Sequence, residues 1–169
     1  MIDFNKDVMP LKDKLYRLAL RLLQNDAEAQ DITQETLIRL WARLSQLDSA
    51  GQAEATGLTI SHNLALDALK RAGRNYERIE AQHENFAPDR SLSAIDTLAA
   101  QDRRDFVRRL IDSLPPKQRA VVQLRDIEGK SYREIAEILQ LSEEQIKITL
   151  FRARQSLKRH FQNSESHEL

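Results

Sequence analysis

Between Ser131 and Leu157 the chain reads SYREIAEILQLSEEQIKITLFRARQSL, in which Gln145, Lys147, Thr149 and Arg152 are side chains able to meet base edges or phosphates. Further upstream, Asn63, Asp67, Lys70 and Arg74 recur at steps of four, three and four, with Arg71 beside them. Such a polar stripe can follow a nucleic-acid backbone and read an exposed base, or it can be a salt-bridged solvent face. A third set, Asp31, Gln34, Glu35, Ile38 and Trp41, falls on one arc of a helix. There an isoleucine and the single tryptophan flank an acidic and amide patch, the composition of a protein-binding hot spot. The competing reading is that neighbouring helices cover Ile38 and Trp41.

None of these sets is equipped for covalent chemistry. The chain has no cysteine, and His62, His83, His160 and His167 are scattered, with no pair at a metal-ligand spacing. Asp31 and Glu35 form a carboxylate pair without a histidine partner. No nucleophile–base pair and no phosphate-cradling glycine loop occurs. The expectation is therefore no catalytic residue, no metal and no cofactor.

The elements that must position these residues read as helices. The chain has 169 residues, 31% of them charged, with only four glycines and four prolines, which favours an all-α fold. Apolar residues at Val8, Leu11, Leu15, Leu18, Leu22 and Leu23 predict a first amphipathic helix, Val8 to Leu23, broken at Asn25-Asp26. A second helix is expected from Ala27 to Leu47 with Asp26 as its cap, burying Ile32, Leu37, Leu40, Leu44 and Leu47. A third begins after Gly57 and continues past Arg71, with Leu58, Ala65, Ala68, Leu69 and Ala72 on one face.

The run QHENFAPDRSLSAIDT loses the helical period and reads as a linker. The boundaries are set at 1–81 for a first domain, 82–97 for a flexible linker, 98–162 for a second domain and 163–169 for a frayed tail. In the second domain a stripe through Phe106, Leu110 and Ile111 is stopped by Pro115-Pro116. The next helix carries Val121, Val122, Leu124 and Ile127 and ends at Gly129. Ser131 with Glu134 and Ser142 with Gln145 are capping-box patterns, so two helix starts lie about eleven residues apart. The first of these helices is too short to stand alone and must pack on the second. That is the layout of a helix-turn-helix, with Ile135, Leu139, Ile146 and Leu150 filling the angle and Gln140 where such turns commonly carry glycine.

Formal net charge is zero, which argues against coating nucleic acid by bulk attraction and requires local segregation of charge for any DNA contact. The amino terminus lacks a secretory pattern, and no apolar stretch approaches the ~20 residues that span a bilayer. A cytoplasmic protein without membrane insertion is expected.

Taken together, these residues resemble an extracytoplasmic-function sigma factor, a compact two-domain bacterial transcription initiation factor. LYRLALRLLQNDAEAQDITQETLIRLW looks like the family's polymerase-binding segment, where Asp31, Gln34, Glu35 and Trp41 match, with Ile38 beside them. ISHNLALDALKR is similar to the segment that opens and reads the minus-ten promoter element, where Asn63, Asp67, Lys70 and Arg71 match. LPPKQRAVVQLRDIEGKSYREIAEIL with FRARQSL looks like the segment that binds the minus-thirty-five element, and brings Ser131, Tyr132 and Ser142 into that candidate surface. The resemblance implies core RNA polymerase and promoter DNA as partners, and an anti-sigma factor that clamps the domains together with their contact faces hidden.

Two departures stand out. Thr56-Gly57 replaces the usual Trp-Leu before the promoter-opening helix, and Gln145-Ile146-Lys147-Ile148-Thr149 replaces Thr-Val-Lys-Ser-Arg in the recognition helix. The missing arginine weakens any phosphate or guanine contact at Thr149. The alternative to a sigma factor is a helix-turn-helix regulator whose amino-terminal domain dimerises or senses a signal; the Asp31 to Trp41 face discriminates the two.

Overall fold

The computed structural model describes residues 1–73 and 99–166. Among them are seven α-helices and no strand. The expected linker 82–97 and Arg74 lie outside the described residues, as do 167–169.

Asp3 opens the chain by accepting the amide of Lys6 at 2.8 Å. A π-helical turn, Phe4–Val8, and a 3-10 turn, Met9–Leu11, then lead into α1, Lys12–Leu23. The α-helix starts later than the apolar spacing predicts because Pro10 lacks the amide that an α-helical ladder needs. Leu15, Leu18, Ala19, Leu22 and Leu23 are buried along one side of α1. Gln24, in the left-handed region at φ 56°, ends it.

Helix α2 is Asp26–Ala42, and its cap is Asn25, not Asp26. The Asn25 side chain accepts the amide of Glu28 at 2.9 Å. Asp26 stands one residue inside and accepts from the Tyr16 hydroxyl and the Gln30 amide. The helix stops at Ala42, short of the expected Leu47, and a 3-10 turn, Leu44–Gln46, follows.

Helix α3, Ala50–Arg71, starts well before Gly57, with Ser49 accepting the amide of Gln52. Gly57 is buried in its interior, and a Cβ there would stand 3.1 Å from methyl carbons of both Leu15 and Leu40. The residue that weakens the helix locally therefore lets α1 and α2 approach its backbone.

The second half comprises α4 (Ala100–Asp112), α5 (Pro116–Val122), a π-helical turn (Gln123–Ile127), α6 (Tyr132–Leu139) and α7 (Glu143–Ser166). Phe106, Leu110 and Ile111 are buried as their spacing predicts, and Pro116 occupies the first turn of α5. Ile127 is exposed, because the chain turns away after Leu124 toward Gly129 at φ +71°. Helix α7 extends to Ser166, past the point expected to fray.

The two helical domains are docked. One buried apolar cluster runs from Leu15, Leu22 and Leu40 through Ala120, Val121 and Leu124 to Ile135, Ile146 and Leu150. Helix α5 packs across α1, and α6 packs across α3. Ion pairs ring this contact: Arg21 to Asp112 at 2.9 Å, Arg17 to Glu128 at 2.7 Å and Glu54 to Lys130 at 2.9 Å.

Candidate functional site

On α2, burial separates the two faces. Ala29, Thr33, Thr36 and Leu40 point inward, while Ile32 and Leu37, expected on that stripe, are only partly covered. Both threonines satisfy their hydroxyls within the helix, donating to the carbonyls of Ala29 and Ile32 at 2.7 Å. Asp31, Gln34 and Glu35 are exposed on the other side. Ile38 and Trp41 are 60% and 62% exposed, so the neighbouring helices do not cover them. The Trp41 ring meets Phe4 edge-on at 5.0 Å, which fixes one side of the indole and leaves the rest to solvent. Glu35 pairs with Arg39 at 3.0 Å one turn on.

On α3, Asn63, Asp67, Lys70 and Arg71 are exposed, with Leu58, Ala65 and Leu69 buried behind them. The expected inward face keeps those three; Ala68 is half-buried and Ala72, past the helix end, is exposed. His62 is buried beside the stripe, its Nδ1 3.3 Å from Oδ1 of Asn63. Burial pushes its pKa down to about 4, so the imidazole is neutral near pH 7.

Asn63 opens onto a cleft of about 420 Å³ whose walls include Arg39 of α2, Arg43 just past its end, and Glu137 and Gln140 from the helix-turn-helix. The two arginines add positive charge beside the α3 stripe. Sequence reading missed them, although their i, i+4 spacing placed them together at the end of α2.

In the helix-turn-helix both predicted capping boxes form. Ser131 accepts the Glu134 amide at 3.1 Å while the Glu134 carboxylate accepts the Ser131 amide, and that second bond leads the causes holding the Glu134 carboxyl below its ordinary pKa. Ser142 and Gln145 repeat the exchange at 3.1 and 2.9 Å. Both serine oxygens are thus engaged in fixing the two helices. Gln140 takes the left-handed conformation, φ 57°, expected at the turn.

Gln145, Lys147 and Arg152 are exposed on α7, but Thr149 is not with them. It is buried and donates its hydroxyl to the carbonyl of Gln145 at 2.7 Å, because its place in the helical period falls on the side packed under α6. Tyr132, half-buried, lies between two cations, with the Arg125 guanidinium 4.4 Å and the Lys147 ammonium 5.6 Å from its ring centre. That arrangement holds Lys147 near the start of α7.

Among the described residues no group of three histidines or carboxylates is placed to hold a metal ion. No helix among them is long and apolar enough to cross a membrane.

The comparisons with known proteins agree with this geometry. The model of the family described as Sigma-70 region 2 matches residues 8–75, and that of Sigma-70, region 4 matches residues 104–157. The extracytoplasmic-function (ECF) RNA polymerase sigma factor SigE of Mycolicibacterium smegmatis is 38% identical over 157 residues, covering 86% of this chain. The chain spans 56% of that protein's length. SigW of Bacillus subtilis is 28% identical, covering 88% of this chain and 83% of its own. SigK of Mycobacterium tuberculosis is 30% identical, covering 87% and 79%. The fold also matches the sigma factor RpoE of Bartonella quintana, solved in complex with the anti-sigma factor NepR. That match has a TM-score of 0.70 at 22% identity and covers 95% of this chain and 97% of that one. The chain belongs to the ECF group of RNA polymerase sigma factors.

Proposed function

We propose that this chain binds core RNA polymerase, directs it to specific promoters and promotes opening of the DNA for initiation, acting in the cytoplasm and without catalytic chemistry of its own. The observation that carries this reading is the α2 face. Two large apolar side chains stay exposed beside Asp31, Gln34 and Glu35 on a helix whose opposite side, at Ala29, Thr33, Thr36 and Leu40, is buried. Monomeric proteins leave such anchors uncovered where a partner docks. The polar stripe of α3 then serves the minus-ten element, and α6 with α7 serves the minus-thirty-five element. A helix-turn-helix regulator with an amino-terminal dimerisation or sensing domain is not favoured, since region 2 of Sigma-70 occupies that part of the chain.

The docked arrangement is a resting state. The two promoter elements are separated by roughly 25 base pairs, about 85 Å of duplex at ~3.4 Å per step. Helix α6 touches α3 here, so both surfaces reach their elements only after the domains part. In this arrangement of the chain by itself, Asn63, Lys70, Gln145 and Arg152 are all exposed. Separation, not burial, is what the closed form withholds. An anti-sigma factor, the class of partner found with the Bartonella quintana protein, would act by holding the domains in this arrangement.

Run-off transcription tests the reading. The purified chain added to promoterless core polymerase is expected to confer initiation at defined sites. Transcription that requires a pre-existing holoenzyme, with this chain only modulating it, would refute the proposal.

A further inference from the structure

The outermost line of α7 is apolar at its centre, between two polar residues, where a recognition helix would be expected to be polar throughout. Glu144, Ile148, Phe151 and Gln155 follow one another at helical spacing, and all four are exposed. Ile148 is 43% and Phe151 61% exposed, while Ile146, Leu150 and Ala153 on the opposite side are buried under α5 and α6. Exposed Lys147 and Arg152 stand on the two flanks of this ridge. Thr149, which could have put a hydroxyl nearby, is turned into the core.

An aliphatic ridge between two cations matches one occupant in particular. The major groove of a duplex has phosphates along both edges, and among its base edges only thymine presents an apolar group, the C5-methyl. Lysine and arginine on either flank suit the edges, and an isoleucine between them has no hydrogen bond to offer a purine. A carboxylate at Glu144, one turn before, fits the groove floor only opposite an amino donor, cytosine N4 or adenine N6. A protein partner would not need the cations on both sides.

Resting on the function proposed above, we infer that Ile148, with Phe151 one turn further on, reads thymine methyl groups in the upstream promoter element. In that case this chain selects part of its promoter by apolar contact instead of by hydrogen bonding.

The test uses holoenzyme reconstituted from the full chain and core polymerase, on a promoter recovered by mapping its initiation sites. Each thymine of the upstream element is replaced in turn by uracil, which removes the methyl group alone. Uracil at one or two neighbouring positions is expected to lower promoter binding roughly fourfold each, the worth of one buried methyl group. Ile148→Ala should then bind the thymine and uracil promoters equally, while Lys147→Ala weakens both alike and reduces the dependence on salt. Because Ile148 is exposed, its truncation leaves folding intact. A flat uracil scan on a promoter that still initiates overturns the inference and spares the function. So does an Ile148→Ala, Phe151→Ala chain that keeps full thymine preference, or one that loses core polymerase instead. Failure to initiate on any template overturns both.

Discussion

Arg119, in α5, donates from Nε to the backbone carbonyl of Arg21, in α1, at 2.7 Å. Its other nitrogens reach the carbonyls of Leu22 and Leu114, also at 2.7 Å. The last carbonyls of a helix have no partner within it and carry partial negative charge, so a buried guanidinium satisfies them and neutralises the helix end together. The contact joins the two domains at the point where α1 stops. Arg119→Met, which keeps the apolar stem, is expected to lose about 3 kcal/mol in urea unfolding. It should also raise the radius of gyration in small-angle scattering as the domains part. An unchanged radius would mean the apolar cluster alone holds them.

The α2 face gives a prediction of the opposite kind, loss of binding without loss of stability. Ile38 and Trp41 are exposed, so truncation removes little core, apart from the edge contact of Trp41 with Phe4. Ile38→Ala with Trp41→Ala is expected to weaken core polymerase binding roughly thirtyfold, about 2 kcal/mol for a hot spot, measured with fluorescently labelled core. The buried Thr36→Val makes a useful contrast, altering stability and leaving affinity alone. Equal affinities for the doubly truncated and unaltered chains would remove the face from the interface.

Local signals reached some of these features and not others. The boxes at Ser131 and Ser142 were legible because capping is decided within four residues, and both reciprocal pairs form. The start of α3 was not. Gly51 and Gly57 depress helical propensity over its first turns, and what restores it is the packing of Leu15 and Leu40 against Gly57, set by residues distant in sequence. Thr33 and Thr36 were missed on the inward face because their residue type reads as polar, although an intrahelical bond satisfies each hydroxyl. Arg119 was invisible for a stronger reason. Its partners lie at Arg21 and Leu22, and nothing in the apolar run around it shows that another domain's helix ends there.

Glu54 links the domains from α3. Its carboxylate lies 2.8 Å from the Lys14 ammonium and 2.9 Å from that of Lys130. Burial pushes its pKa up, but the two ammonium groups outweigh burial and hold it below the ordinary value. A depressed carboxyl contributes stability above its unfolded pKa of roughly 4.3 and loses it as pH falls through the folded value. Glu54→Gln should therefore loosen the α3–α6 contact by about 1–2 kcal/mol at neutral pH and flatten the acid limb below pH ~4. Hydrogen exchange of α6 amides measures the loosening; protection equal to that of the unaltered chain would contradict it.

His62 governs a higher pH window. Unfolded, it takes up a proton near ~6.5. Folded, burial holds it to about 4, only partly offset by its contact with Asn63. Between those values the unfolded chain binds more protons, so stability falls as pH is lowered from about 6.5 toward 4 and levels off below. The full change is about 3 kcal/mol, from 1.36 kcal/mol per pKa unit. His62→Gln keeps a polar side chain of similar reach without the titration. Its urea midpoint should vary much less between pH 7 and pH 5 than that of the unaltered chain, even if it starts lower. Parallel profiles for the two would show that folded His62 takes up its proton as readily as the unfolded chain does, and that burial exacts no penalty there.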